Sequence, residues 1–138
     1  MSLPKLDASA RPNARGARQG SALVIDDDDS VRSLITYILR RQAFEVESAS
    51  DPSEALALLE RRYYDVVVFD PRLNDPRSWE MLEALEDRVP SAVRRVVIIT
   101  AAVDALAHGL PADVCRVVTK PFEIKQLVEA IEGCAAEE

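Results

Sequence analysis

From residue 22 onward the hydrophobic positions follow two alternating rhythms. ALVI at 22–25, VVVF at 66–69 and VVIIT at 96–100 are continuous apolar runs, too short for helices and bounded by charge, which predicts strands buried on both faces. In SVRSLITYILRRQ, residues 30–42, Val31, Leu34, Ile35, Ile38 and Leu39 form one stripe with Arg32, Arg40 and Arg41 off it, the period of an amphipathic helix. FEVESA at 44–49 alternates Phe44 and Val46 with Glu45 and Glu47, so it reads as a half-exposed strand near a sheet edge. DPSEALALLERR at 51–62 opens a second helix with Asp51 as N-cap, Pro52 in the first turn and Glu54 reaching back. DVCRVVT at 113–119 reads as a further buried strand, and WEMLEALEDRV at 79–89 and EIKQLVEAIEGC at 123–134 as helices. PRLNDPRS at 71–78 reads as a turn, and AAVDALAHG at 101–109 as a short helix or irregular turn.

Five strands alternating with five helices predict an α/β fold, a parallel sheet doubly wound with helices on both faces. Such a sheet binds ligands beyond the C-terminal ends of its strands, where the strand order reverses. The residues at those ends are Asp26 and Asp27, Asp70, Thr100 and Lys120. Each alone would pass for a solvated loop residue, but five charged or hydroxylic groups at the expected points suggest a site.

Composition narrows the class. The chain has 138 residues, 48% hydrophobic and 30% charged, the size and balance of one globular domain. It has no apolar run long enough for a membrane span. Of the net charge of −7, residues 1–20 carry +3 through Lys5, Arg11, Arg15 and Arg18 against Asp7, which leaves the body at −10. We read residues 1–20 as a flexible basic leader and 21–138 as the domain. An acidic body disfavours direct nucleic-acid binding. Cys115 and Cys134 have no metal-ligand spacing, and His108 is the single histidine, so the cysteines read as reduced thiols of a cytosolic protein.

The strand-end set has a coherent chemistry. Carboxylates in a shallow crevice suit a hard divalent cation, and Mg2+ takes one or two of them with a backbone carbonyl, waters and a phosphate oxygen. A hydroxyl and an ammonium nearby can each hold a phosphoryl oxygen, and phosphoryl transfer is largely a matter of positioning and charge neutralisation. One carboxylate is then the acceptor.

LVIDD, VVVFDPRL, VVIITA and VVTKPF, with 43 residues from Asp27 to Asp70, 30 to Thr100 and 20 to Lys120, resemble the blocks of the response-regulator receiver domain. The resemblance spans residues 21 to about 135 and implies a flavodoxin-like (β/α)5 fold with strand order 2-1-3-4-5. It implies that Asp26 and Asp27 organise Mg2+, with the backbone carbonyl of Arg72, and that Asp70 accepts the phosphoryl group and also faces the metal. Thr100, Lys120 and the backbone N–H of Ala101 would hold phosphoryl oxygens. The Lys120–Pro121 bond would be cis. The implied protein is a bacterial cytoplasmic signalling switch, not an enzyme, partnered by a sensor histidine kinase or histidine phosphotransfer protein and a downstream protein target. A phosphorylation-dependent dimer is a further contact it implies, and neither nucleic acid nor membrane is an expected direct partner.

Asp28 and Asp29 match no ligand position in the family, and Asp29 or Ser30 reads as the N-cap of the first helix. The turn after Asp70 departs from the family's usual proline at four residues and Asp-Gly at seven and eight, with Asn74, Arg77 and Ser78 there instead and prolines at Pro71 and Pro76. Arg72 stands where family side chains influence access of water to the acyl phosphate. Val117 replaces the aromatic switch residue that partners Thr100. The chain stops about one helix after Lys120, which implies output by protein contact or a receiver excised from a longer protein. Two other functions compete. A receiver fold kept as an unphosphorylated interaction module draws on the altered loop and Val117. A haloacid-dehalogenase-like phosphatase draws on the Asp-x-Asp of Asp26 and Asp28, but leaves Asp70 without a role.

Overall fold

The computed structural model describes residues 20–71, 76–101 and 111–136. Along them run β1 (Gly20–Ile25), α1 (Asp29–Arg41), β2 (Phe44–Ala49), α2 (Pro52–Arg61), β3 (Val66–Phe69), α3 (Pro76–Arg88), α4 (Pro90–Val93), β4 (Val96–Thr100), β5 (Arg116–Thr119) and α5 (Ile124–Ala136). The strands form one parallel sheet in the order β2-β1-β3-β4-β5. The α/β reading and the strand order 2-1-3-4-5 are therefore borne out.

Alternation along each strand divides the core into two layers. Ala22, Val24, Val66, Val68, Val97 and Ile99 face α1 and α5, packing with Ile35, Leu39, Leu127 and Ile131. Leu23, Ile25, Val67, Phe69, Val96 and Ile98 face the opposite way, against Leu59, Met81, Leu82 and Leu85 of α2 and α3. Ala22–Ile25, Val66–Phe69 and Val96–Ile99 of the central strands are apolar and buried throughout because both their faces are covered. β2 sits at the edge, as its alternation predicts, with Glu45 exposed and Phe44 and Val46 buried.

Several boundaries differ from expectation. β5 is an edge strand with only Val118 buried, although its apolar run resembles those of the central strands. Leu34 lies on the predicted stripe of α1 yet is 52% exposed, because a helix lying on a sheet edge buries a narrower arc than its apolar residues span. α3 begins at Pro76, three residues before the predicted start, with the proline in the first turn where its missing N–H costs nothing. The short α4 was not expected. The predicted helix or turn at 101–109 falls, beyond Ala101, outside the described residues, as does His108.

The N-cap of α1 is Asp28, neither Asp29 nor Ser30: its Oδ1 accepts from the backbone N–H of Ser30 at 2.9 Å and of Val31 at 3.1 Å. Asp51 caps α2 as predicted, accepting from Glu54 N–H at 2.9 Å, while the Glu54 carboxylate accepts from Ser50 N–H at 3.1 Å. Beyond the end of α2, Tyr64 is buried and donates its hydroxyl to Glu47, which also takes Arg62.

The cysteines correct the reduced-thiol reading. Cys115 and Cys134 form a disulfide across 19 residues of sequence, with Cα atoms 6.1 Å apart. The β5–α5 crossover returns the chain over the sheet, so the residue preceding β5 meets the last turn of α5. That proximity is a product of topology and leaves no spacing signature in the sequence.

Candidate functional site

Parallel register brings the strand ends level. Ile25 pairs with Phe69, so Asp26 and Asp70 leave neighbouring strands side by side where the order reverses between β1 and β3. Asp26 N–H donates to the Ala49 carbonyl and Asp70 N–H to the Ile25 carbonyl, both at 3.2 Å, so each carboxylate stands on a backbone fixed by the ladder. On the other side, Thr100 closes β4 opposite Thr119, and Lys120 N–H donates to the Thr100 carbonyl at 3.0 Å. The Lys120–Pro121 bond is cis.

The side chains are unequal. Asp26 is 2% exposed, whereas Asp27 projects into solvent. Asp26 Oδ1 accepts from Asp28 N–H at 2.9 Å, but its buried Oδ2 has no hydrogen-bond partner. Burial pushes the Asp26 carboxyl up to about 6; the Asp28 N–H opposes the rise, the Asp70 charge adds to it, the Lys120 ammonium opposes it and Asp27 adds a smaller push. Repulsion between the paired aspartates is thus secondary to desolvation. Asp70 accepts from Lys120 Nζ at 2.6 Å through Oδ2, with its side chain 10% exposed. Thr100 is buried beside them, and Ala101 is half-buried.

A small cleft runs over these ends, lined by Asp26, Asp27 and Asp70, by Ser50 and Asp51 from the β2–α2 connection, and by Arg77 and Ser78 from α3. The sequence reading placed the strand-end residues in this site but took Arg77 and Ser78 only as departures in a turn. Their signal was the offset from Asp70, which sets them above the acceptor once α3 folds back. Arg72, expected to offer a carbonyl, lies outside the described residues. Val117 is 42% exposed on the edge strand and packs into neither core layer, so it holds no inward switch position.

Among the described residues no three His, Cys, Asp or Glu side chains converge into a preformed metal cage. Mg2+ does not require one, since it retains waters and uses one or two carboxylates. The orphaned, buried Oδ2 of Asp26 is the oxygen a cation would satisfy, and the donor set is all oxygen, so the residues fit a hard divalent ion.

The family model of the response regulator receiver domain matches residues 22–132. The alginate biosynthesis transcriptional regulatory protein AlgB of Pseudomonas aeruginosa is 32% identical over 112 residues, covering 80% of this chain and 24% of its own length. The probable transcriptional regulatory protein TcrX of Mycobacterium tuberculosis is 34% identical over 110 residues, covering 78% of this chain and 46% of its own. The chain spans less than half the length of either relative. Among solved structures, a CheY-like receiver domain protein from Methanospirillum hungatei JF-1 superposes with a TM-score of 0.70 at 28% identity, over 84% of this chain and 94% of that one. TrrA of Thermotoga maritima, in complex with Mg(2+)-BeF, gives 0.72 at 22% identity over 83% and 97%, a likeness of fold. Sheet order, strand-end residues and a match running from β1 into α5 agree, and the chain belongs to the response regulator receiver domain family.

Proposed function

We propose that this receiver domain accepts a phosphoryl group on Asp70, with Mg2+, from a phosphohistidine of a sensor histidine kinase or histidine phosphotransfer protein, and thereby changes its contacts with a downstream protein. The observation that carries this reading is the Lys120 ammonium on Asp70 at 2.6 Å, in one cleft with the unsatisfied Oδ2 of Asp26. An Asp70 carboxylate oxygen attacks phosphorus, the new O–P bond forms as the P–N bond to imidazole breaks, and the electron pair leaves with the imidazole, which takes a proton. Lys120 Nζ, already at the carboxylate, can follow the charge onto a phosphoryl oxygen, and Thr100 Oγ1 with the Ala101 N–H would hold the others. Asp26 and Asp27 would hold the metal with Asp70, and the bound ion would neutralise charge on the phosphoryl oxygens. The product is an acyl phosphate, so the domain acts as a signalling switch.

Phosphoryl binding favours the arrangement with Thr100 drawn in, and that differential affinity is what shifts the population. We place this activity in the bacterial cytoplasm with the kinase; no described helix is long and apolar enough to cross a membrane.

Incubation with Mg2+ and acetyl phosphate, followed by intact mass, should show one phosphoryl adduct. Asp70→Asn should remove it and Asp26→Asn or Asp27→Asn should abolish or nearly abolish it, whereas Asp28→Asn, which still caps α1, should leave it. An unmodified wild-type chain would overturn the reading and leave a receiver fold used for interaction alone.

A further inference from the structure

The chain that presents Lys120 to Asp70 lies inside a covalent loop. Cys115 stands one residue before β5 and Cys134 in the last turn of α5, so their disulfide spans 19 residues of sequence and encloses Lys120. Little else holds the first part of that loop. β5 pairs with β4 alone among the described strands and buries only Val118; at its ends, Cys115 N–H donates to the Val96 carbonyl at 2.9 Å and Lys120 N–H to the Thr100 carbonyl at 3.0 Å. An edge strand with one buried side chain opens at small cost. The disulfide ties it to α5, whose Leu127, Ile131 and Cys134 are buried in the core. The two sulfurs are unequally placed, since Cys134 is 1% exposed and Cys115 only half-buried.

We propose that Cys115 and Cys134 form a reversible redox-modification site, opened by a dithiol reductant at Cys115, whose state sets how firmly Lys120 is held at Asp70. This rests on the phosphoacceptor reading, which places the chain in the cytoplasm, where thiol pools keep cysteines reduced and a disulfide is as a rule transient and redox-sensing. A thiolate of the dithiol attacks Cys115 Sγ; the new S–S bond forms as the bond to Cys134 breaks, and the electron pair leaves on Cys134 Sγ, which takes a proton from water. The second thiolate of the dithiol attacks its own sulfur in the mixed disulfide and releases Cys115, which is protonated in turn. The reductant ends as a disulfide, and the chain has gained two electrons and two protons. Reduction removes no core side chain but frees the loop, so the segment that carries Lys120 opens about 10–100-fold more often. While it is open, the ammonium is absent from the carboxylate that it pairs with at 2.6 Å in the closed loop.

The test compares the full chain, oxidised and after dithiothreitol, with the reductant removed before Mg2+ and acetyl phosphate are added. Alkylation in denaturant and intact mass count the thiols. Dithiothreitol should reduce the folded chain, oxidised glutathione should restore the bond, and the reduced chain should form the Asp70 adduct about three- to tenfold more slowly. Amide exchange over residues 116–120 should be faster in the reduced chain. Cys115→Ser should behave as the reduced chain whether or not dithiothreitol has been present, and the wild-type pair decides alone if that variant does not fold. A bond that serves only as a staple would lower the melting temperature on reduction and leave the adduct rate unmoved, which overturns the proposal. A bond that dithiothreitol reaches only in denaturant also overturns it, as does a chain that oxidised glutathione leaves with two thiols. An adduct that forms as fast or faster after reduction sinks this inference alone, whereas no adduct in either redox state sinks it together with the phosphoacceptor reading.

Discussion

Asp26 is where the site imposes its cost on the fold. A carboxyl group buried at the C-terminal end of β1, with one oxygen unpaired, is disfavoured in its charged form, and its pKa rises from the ordinary 3.8 to about 6. Between those values the folded chain holds more protons than the unfolded one, so stability falls as pH rises through that window. The loss is complete above about pH 6 and amounts to about 1–3 kcal/mol. Asp26→Asn keeps an oxygen for the Asp28 N–H but carries no charge. In metal-free buffer with chelator, it should raise the unfolding free energy at pH 7 by about 1–3 kcal/mol and add little at pH 4, as read by urea denaturation at both pH values. A gain of the same size at both would show that shape and not charge is responsible. A divalent cation should remove most of the wild-type deficit at pH 7, because it binds only the folded cleft. The run of four aspartates thus divides by environment: Asp26 buried, Asp27 at the cleft, Asp28 capping α1 and Asp29 paired with Arg32.

At the level of the elements, the junction of α1 and β2 stores avoidable strain. Ala43 has φ 68°, the left-handed region that ends many helices and that glycine enters at little cost. Ala43→Gly should therefore stabilise the fold by about 0.5–1 kcal/mol even after the larger chain entropy that glycine loses on folding. A lower melting temperature in that variant would mean that the Ala43 methyl contributes packing that outweighs the backbone. Which elements the sequence discloses depends on how local their causes are. Capping by Asp51 and Glu54 is decided within four residues, and it was legible; so were the central strands, whose two covered faces make their middles continuous apolar runs. The exposure of β5 was not, because VVT reads alike at an edge and at the centre, and only the order of strands separates them. The Cys115–Cys134 bond and the exposure of Leu34 were hidden for the same reason, as each follows from how one element lies on another. Within the site, the residues directly after each strand were legible from the parallel topology, while Arg77 entered only when α3 folded back over the cleft.

For the molecule as a whole, the sheet is the one structure that both core layers share. Leu39, fully buried on the α1–α5 side, and Leu85, fully buried on the α2–α3 side, belong to separate clusters and have the sheet between them. Truncating either to alanine should cost about 2–5 kcal/mol, a large part of the total for a domain of this size. If the layers were independent, Leu39→Ala would loosen only α1 and its neighbours, and the far layer would melt unchanged. The strands forbid this: Val24 faces one layer and Leu23 the other, so a strand lost to one side takes the packing of both with it. Each variant should therefore shift one common transition, seen alike by far-ultraviolet dichroism and by fluorescence of Trp79, which packs on the Leu85 side. The two costs should add to within about 0.5 kcal/mol in the double variant, since the side chains share no cluster. Separate transitions for the two probes in Leu39→Ala would show instead that the layers unfold apart. A single transition is also what a switch of this architecture needs, because a change at the strand ends then biases elements on both faces of the sheet at once.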